Sequence, residues 1–596
     1  MTNPPHWDLT NVFPSLESDE LAQAFTRLQE LIRSLEVLFA DKFEGTSSGT
    51  PVSDLGVLTG EAIDRFNQLF ELSLTLRAYL NSFVSTDSHN TLAMKKMSEF
   101  QMINVKVQML ENQFQAWVGR IAPVLEQVIP GNAAAAAHAF FLRETADQAK
   151  YLMPQEEESL AAELGLSGTN AWSKLQGTVT SQLTVDFELE GKMEKLPMPA
   201  LINLHSHPDE AVRRRAYEAE LEAWKSAREP LAACLNGVKG WANTLNQKRG
   251  RRDALHQALD LARIDQETLE AMLGAMQASF PSFRRYYTAK AKRLGTEKLA
   301  WWDIFAPAGR TEKTYTFDEA SDFIVTHFGG FSQELANFAR RAFAHNWIDA
   351  EQREGKRGGA FCMGLPLVRE SRVLCNFDGT LDQVSTVAHE LGHGFHNHCA
   401  YQAGRTPLQK ETPMTMAETA SIMCETIIMQ AILNETKDPQ AELAILETQL
   451  IGDAQVIVDI YSRYLFEKEV FERRLKSELS ADELCEMMEE AQKETYGELA
   501  AYHPYMWIWK PHYYYGGLPF YNFPYAFGLL FGTGLYAIYQ QRGADFVPDY
   551  KSLLASTGEA TAADLAMRFG IDIRQRKFWE DSLGVIGKRI ERYCEL

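Results

Sequence analysis

Cysteine is scarce in this chain and is never arranged for pairing. Seven residues in 596 (Cys234, Cys362, Cys375, Cys399, Cys424, Cys485 and Cys594) lie scattered, with no Cys-x-x-Cys. An odd, dispersed set excludes a disulfide framework and points to free thiols in a reducing compartment. Positive charge is also short: 59 Lys and Arg against 80 Asp and Glu leave a net charge of −21, with the acids spread along the chain. Nucleic-acid binders carry basic patches, so no nucleic-acid partner is expected. The start, MTNPPHWDLTNVF, lacks the basic residues and apolar core of a secretory signal. Long apolar runs are missing too. The nearest, FPYAFGLLFGTGLYAIY from Phe523, is broken by Pro, Gly, Thr and Tyr and reads as a buried helix. The expectation is a cytoplasmic protein with no membrane partner. No repeat of fixed period appears, which excludes a solenoid.

Helical periodicity is what the chain has in abundance. Apolar residues recur at three and four residue steps in Leu21 to Phe39, Ile63 to Phe83, Met94 to Ile121 and Ala134 to Leu152, and helices resume from Asp209 to about Ile304. Strand-like alternation is confined to SQLTVDFELEG from Ser181, GGAFCMGLP from Gly358 and SRVLCNF from Ser371. The fold class expected is mainly α with a small β-sheet. The division expected is a helical N-terminal lobe over 1–190 and a catalytic region over 191–596.

Thr380 to His398 reads TLDQVSTVAHELGHGFHNH and holds His389-Glu390-Leu391-Gly392-His393, an H-E-x-x-H sequence. Thr380 and Gln383 have capping-box form, and Asp382 falls in the first turn, where a carboxylate meets the positive end of the helix dipole. Leu381, Val384, Ala388, Leu391 and Phe395 supply one apolar face, so the stretch is a predicted helix with His389 and His393 one turn apart. Two such imidazoles suit a tetrahedral zinc site, with Glu390 as general base on a water held by the metal. A metzincin would have Gly at 396 and His at 399; this chain has His396 and Cys399, which excludes that subclass. His396 is read as a neighbour of the site rather than a ligand. Downstream, MTMAETASIMCETIIMQAIL places Glu418, Ser421 and Glu425 on one face of an apolar helix. Carboxylates there are costly unless paired or bound to metal, so Glu418 is the third ligand chosen. Glu425 and Asp382 are both candidates to orient a ligand imidazole. His205 and His207, in LHSHPDE, resemble a metal pair but have no third ligand nearby and are read as structural.

PHYYYGGLPFYNFPYAFG, from Pro511, gathers His512 and several Tyr in a segment broken by Gly and Pro. Buried Tyr hydroxyls need partners, and Tyr and His donors aimed at an oxyanion complement a zinc peptidase site. Gly516-Gly517 suggests a loop able to close on substrate. Two short strands beside the zinc helix suit an extended peptide that adds itself as a strand.

These stretches together resemble the thimet oligopeptidase and oligoendopeptidase F group of zinc peptidases. The likeness rests on NFDGTLDQVSTVAHELGHGFH, on MAETASIMCE with Glu418 twenty-nine residues after His389, and on HYYYGGLPFYNFPYAFG, with LAWWDIFAP from Leu299 a weaker echo. His512, Tyr514 and Pro519-Phe520-Tyr521 match the oligoendopeptidase F branch, whereas the thimet branch has a tyrosine where this chain has Gly517. The resemblance implies two helical lobes around a deep channel that admits short unstructured peptides, one zinc per chain, and a tyrosine that assists catalysis, with Tyr521 ahead of Tyr525. The expected activity is zinc-dependent endopeptidase cleavage of short oligopeptides, His512 and Tyr521 stabilising the oxyanion. The alternatives are an exopeptidase of the same chemistry, for which no charged group to hold a chain end is identifiable, and a catalytically silent peptide-binding protein.

Overall fold

The computed structural model describes residues 4–309 and 313–596. The chain forms two compact units, each assembled from three segments: Met1–Leu152, Lys313–Ile432 and Ile538–Gly570 in unit one, and Met153–Glu312, Leu433–Ala537 and Ile571–Leu596 in unit two. Residue 190, where a lobe boundary was expected, lies inside unit two.

Unit one begins with a helix over Asp19–Leu38. Ser18 Oγ accepts from Leu21 N–H, and Asp19 and Glu20 occupy the first turn, so both the free amides and the dipole are answered. Leu21, Ala24, Leu28, Leu31, Leu35 and Leu38 are its buried face and pack with helices Val52–Thr86 and Thr91–Ile121. Phe43 and Trp117 stack at 4.1 Å in the same core. The helix expected over Ala134 to Leu152 is broken at His138 into Ala133–Ala137 and Ala139–Ala149. Two distant side chains hold the break: Thr406 Oγ1 lies 2.8 Å from His138 Nε2, and Gln409 Nε2 donates to the Ala137 carbonyl at 2.9 Å.

Three strands form a sheet in the order β3-β5-β4: β3 (Ile348–Asp349), β4 (Phe361–Leu365) and β5 (Glu370–Leu374). β4 and β5 pair antiparallel with Cys362 opposite Val373, while β3 pairs parallel to β5. At two residues β3 is too short to show alternation in a sequence. The order leaves β4 at an edge.

Unit two carries the hairpin foreseen near Ser181, β1 (Thr184–Leu189) against β2 (Lys192–Pro197). Its long helices are Glu210–Lys248 and Gln266–Leu294, the latter packed along Arg576–Glu595. Two lysines are fully buried there, and each is paired with a carboxylate, Lys239 with Glu467 and Lys290 with Glu447. Burying such charges is tolerable only when they are paired in this way.

Candidate active site

The H-E-x-x-H stretch is helical over Leu381–Gln402, here α1. Thr380 Oγ1 accepts from Gln383 N–H at 3.4 Å, but the return bond of a capping box is not made. Thr380 instead gives its own N–H and hydroxyl to Asp378 Oδ1, at 2.9 and 2.7 Å. Leu381, Val384, Ala388, Leu391 and Phe395 are all buried, which fixes the opposite side of α1 toward a cavity.

Gly392 sets how close the next helix comes. A Cβ there would stand 2.6 Å from the Ala420 carbonyl oxygen and 2.6 Å from Ser421 Cα. The second helix, α2 (Thr419–Glu435), therefore presses its backbone directly onto α1. Glu418 is not within α2 as the periodicity implied; it sits at the joint between a short helix, Met414–Ala417, and α2. The joint turns its carboxylate toward the histidines. Glu418 Oε2 lies 3.3 Å from His389 Nε2 and 3.4 Å from His393 Nε2, and Ser421 Oγ donates to it at 2.6 Å. Among the described residues, His389, His393 and Glu418 are the one group of three or more His, Cys, Asp or Glu whose ligand atoms fall within 4.8 Å of one another. Of the two candidates for orienting an imidazole, it is Glu425 whose Oε2 stands 2.9 Å from His389 Nδ1. A carboxylate there fixes a proton on Nδ1 and leaves Nε2 as the nitrogen turned toward Glu418.

Burial disfavours an imidazolium at both histidines, yet Glu418 and Glu425 together push the His389 pKa up to about 10. His393, which lacks the second carboxylate, is held down at about 4 by burial. Glu418 falls to about 2 because the two imidazoles outweigh its burial. Glu390 goes the other way, up to about 7, driven by burial and opposed by His389. Its Oε2 is buried with no hydrogen-bond partner.

His389, Glu390 and His393 line a cavity of about 540 Å³ together with Phe361, Cys362 and Gly364 of β4. His396 lines it further along, outside the metal-ligand group, with Nε2 2.8 Å from Thr557 Oγ1. His205 is buried against Glu220, which also meets His503 at 2.9 Å, so that histidine is structural. The stretch Met414–Glu435 is long and apolar enough to cross a membrane, but 61% of its apolar window is buried inside the protein, and it carries Glu418 and Glu425.

His512, Tyr521 and Tyr525 belong to unit two and form a cluster there. The His512 and Tyr521 rings stack at 4.6 Å, Tyr515 stands edge-on to Tyr521 at 5.4 Å, and Tyr525 OH donates to Tyr521 OH at 3.4 Å. Burial and then the Arg463 charge lower the His512 pKa, and its Nδ1 is buried without a partner. Tyr513 and Tyr514 are fully buried and face packing, not solvent. Phe520 adopts a left-handed φ of 52°, and its N–H donates to Glu467, which secures the turn before Tyr521. Gly516 is explained by packing: a Cβ there would lie 2.1 Å from Thr169 Oγ1.

The sequence pattern of Peptidase family M3 matches residues 203–585, well over half of the chain. The chain belongs to peptidase family M3. The pattern described as Oligopeptidase F matches 123–184, which assigns this M3 member to the oligoendopeptidase F branch. It is similar to the group B oligopeptidase PepB of Streptococcus agalactiae, 24% identical over 98% of this chain and 96% of that one. Oligopeptidase PepF of Bacillus subtilis is 21% identical over 99% and 87%. Among solved structures, a Chlamydophila abortus protein superposes with a TM-score of 0.84 at 19% identity, covering 99% and 98% of the two chains. Oligoendopeptidase-F of Enterococcus faecium gives 0.69 at 18%, covering 96% and 99%. These likenesses carry the mainly helical fold. As an M3 member the chain is a metallopeptidase that acts on oligopeptides.

Proposed function

We propose that this M3 peptidase is a zinc-dependent endopeptidase of short, unstructured oligopeptides, with one zinc held by His389, His393 and Glu418. The observation that carries the metal is a spacing. A tetrahedral ion bonded at about 2.0–2.1 Å sets its donors roughly 3.3–3.4 Å apart. Glu418 Oε2 stands 3.3 and 3.4 Å from the two imidazole nitrogens, and two imidazoles with one carboxylate are a donor set of catalytic zinc sites. Zinc, when bound, supplies Lewis acidity to the attacking water and the scissile carbonyl. Glu425 keeps the His389 proton on Nδ1, and Ser421 steadies the Glu418 oxygen. Glu390 accepts the proton of the attacking water and passes it to the leaving amine; it lines the cavity beside the ligand group, with one carboxylate oxygen buried and unpartnered. The edge strand β4 lines the same cavity and offers its main chain to an extended peptide. Oxyanion stabilisation is assigned to His512 and Tyr521 on the chemistry of the two donors and the oligoendopeptidase F pattern, with Tyr525 a lesser partner. Seven free thiols suit a cytoplasmic setting.

The test is Glu390→Gln. The variant is expected to keep one zinc per chain by elemental analysis and to lose about a thousandfold in kcat. Turnover within tenfold of the parent would remove Glu390 from the mechanism.

A further inference from the structure

The loop that carries Tyr521 is fastened to buried charges that the chemistry does not use. Helix α3 (Ile460–Arg474) follows directly on a π-helical turn, Gln455–Asp459. Asp459, Arg463 and Glu467 recur there at steps of four, so they share one face, and all three are buried. Each charge is answered. Arg463 pairs with Asp459 through Nη2, and Glu467 pairs with Lys239 from helix Glu210–Lys248. Apolar residues in place of such pairs are often neutral or stabilising, so the fold alone does not call for them.

What the two pairs share is the loop they reach. Glu467 Oε1 accepts the Phe520 N–H at 3.2 Å, and Arg463 Nη1 donates to Asn522 Oδ1 at 3.3 Å. These are the residues on either side of Tyr521. Phe520 is held at a left-handed φ of 52°, a conformation that a bulky residue keeps only where its surroundings impose it. They do so through its ring as well, which lies 5.5 Å from both the Tyr464 and the Phe471 rings of α3. Lys239 Nζ in turn stands 4.4 Å over Phe471. Asn522 is buried, and its hydrogen bond with the His512 side chain opposes the burial and the Arg463 charge that lower the pKa of that histidine. Tyr521 itself is partly exposed, stacked on His512 between two fixed neighbours.

We propose that Glu467 and Asn522 are positioning residues for Tyr521, a clamp that ties both of its neighbours to α3 and so holds the tyrosine hydroxyl and the His512 ring in one arrangement for the developing oxyanion. The clamp rests on the assignment of His512 and Tyr521 made above and deepens it. Lys239 and Arg463 act one step further back, by keeping Glu467 and Asn522 in place. Positioning of an oxyanion donor counts in the transition state and not in ground-state binding, so loss of the clamp is read in kcat rather than in KM.

The experiment measures kcat and KM on one short peptide, with Tm and zinc content, for the parent, Lys239→Met/Glu467→Leu, Lys239→Met/Glu467→Gln and Asn522→Ala. The two double variants both replace the buried ion pair with neutral side chains. They differ in one group, because Gln still offers an oxygen to the Phe520 N–H and Leu does not. Lys239→Met/Glu467→Leu is expected to lose about thirtyfold in kcat with KM within about twofold, inside the roughly hundredfold that a misplacement of about 1 Å costs. Lys239→Met/Glu467→Gln recovers most of that loss. Asn522→Ala, which leaves both ion pairs in place, loses a similar amount. In a Tyr521→Phe background each loss shrinks to about threefold or less, since the group to be positioned is already gone, whereas a merely structural loss adds in full. Equal kcat in the two double variants, or full additivity with Tyr521→Phe, overturns the clamp. If Lys239→Met/Glu467→Leu does not fold, Asn522→Ala with and without Tyr521→Phe decides alone. A parent that cuts no peptide, or a Tyr521→Phe enzyme with full kcat, shows instead that the oxyanion assignment has failed, and the clamp falls with it.

Discussion

Glu390 and Glu418 are carboxylates in one pocket whose surroundings push them in opposite directions. Glu418 faces two imidazoles and a serine hydroxyl and stays ionised; Glu390 faces burial with an unpartnered oxygen and is drawn toward neutrality. Divergent environments of this kind suit the proposed division between a ligand, Glu418, and an acid–base group, Glu390. The tyrosines divide similarly. Tyr513 and Tyr514 are wholly buried, whereas Tyr521 stacks on His512 and shares a hydroxyl contact with Tyr525. Tyr521→Phe is therefore expected to lower kcat by about a hundredfold with little change in KM, and Tyr525→Phe to cost much less. A Tyr521→Phe enzyme with unchanged kcat and raised KM points to plain binding instead. The meeting of His389 with His393 was legible in the sequence because H-E-x-x-H spacing is itself a statement about one helix face, and Glu418 because a carboxylate on an apolar stretch needs a partner.

At the level of elements, the site depends on how tightly α2 lies on α1. At Gly392, inside the motif, the backbone of α2 comes so near that a Cβ would stand 2.6 Å from it, and Gly394 gives similar room to the Phe338 ring at 2.8 Å. The Gly392 contact is with the α2 backbone, which has no flexible end to yield. Gly392→Ala should push α2 away and carry Glu418 from the histidines, although alanine is the better helix former. The expected outcome is zinc affinity weaker by about tenfold, in the range seen when the support of metal ligands is disturbed, with a lower Tm. An unchanged zinc Kd would show that Glu418 is positioned independently of that contact. Periodicity gave the helices and the hairpin their places. It missed the break at His138, which is held by Thr406 and Gln409 from a loop far along the chain, and the joint at Glu418, which a continuous helical pattern conceals.

For the molecule as a whole, the chain's course is what a linear reading could least supply. Each unit is built from three separated segments, and contacts between residues hundreds apart in sequence decide them. The mainly helical class followed from composition and pattern; the segment boundaries depend on which faces pack together. The central claim is that this M3 member cuts short peptides internally with a metal at His389, His393 and Glu418. The most direct measurement digests a mixture of short peptides and one folded protein, with and without a chelator, and reads the products by mass spectrometry. Internal cleavage of the short peptides alone, abolished by the chelator and restored by zinc, is the result expected. Cleavage that persists in the chelator, or release of single residues from one end, would contradict it.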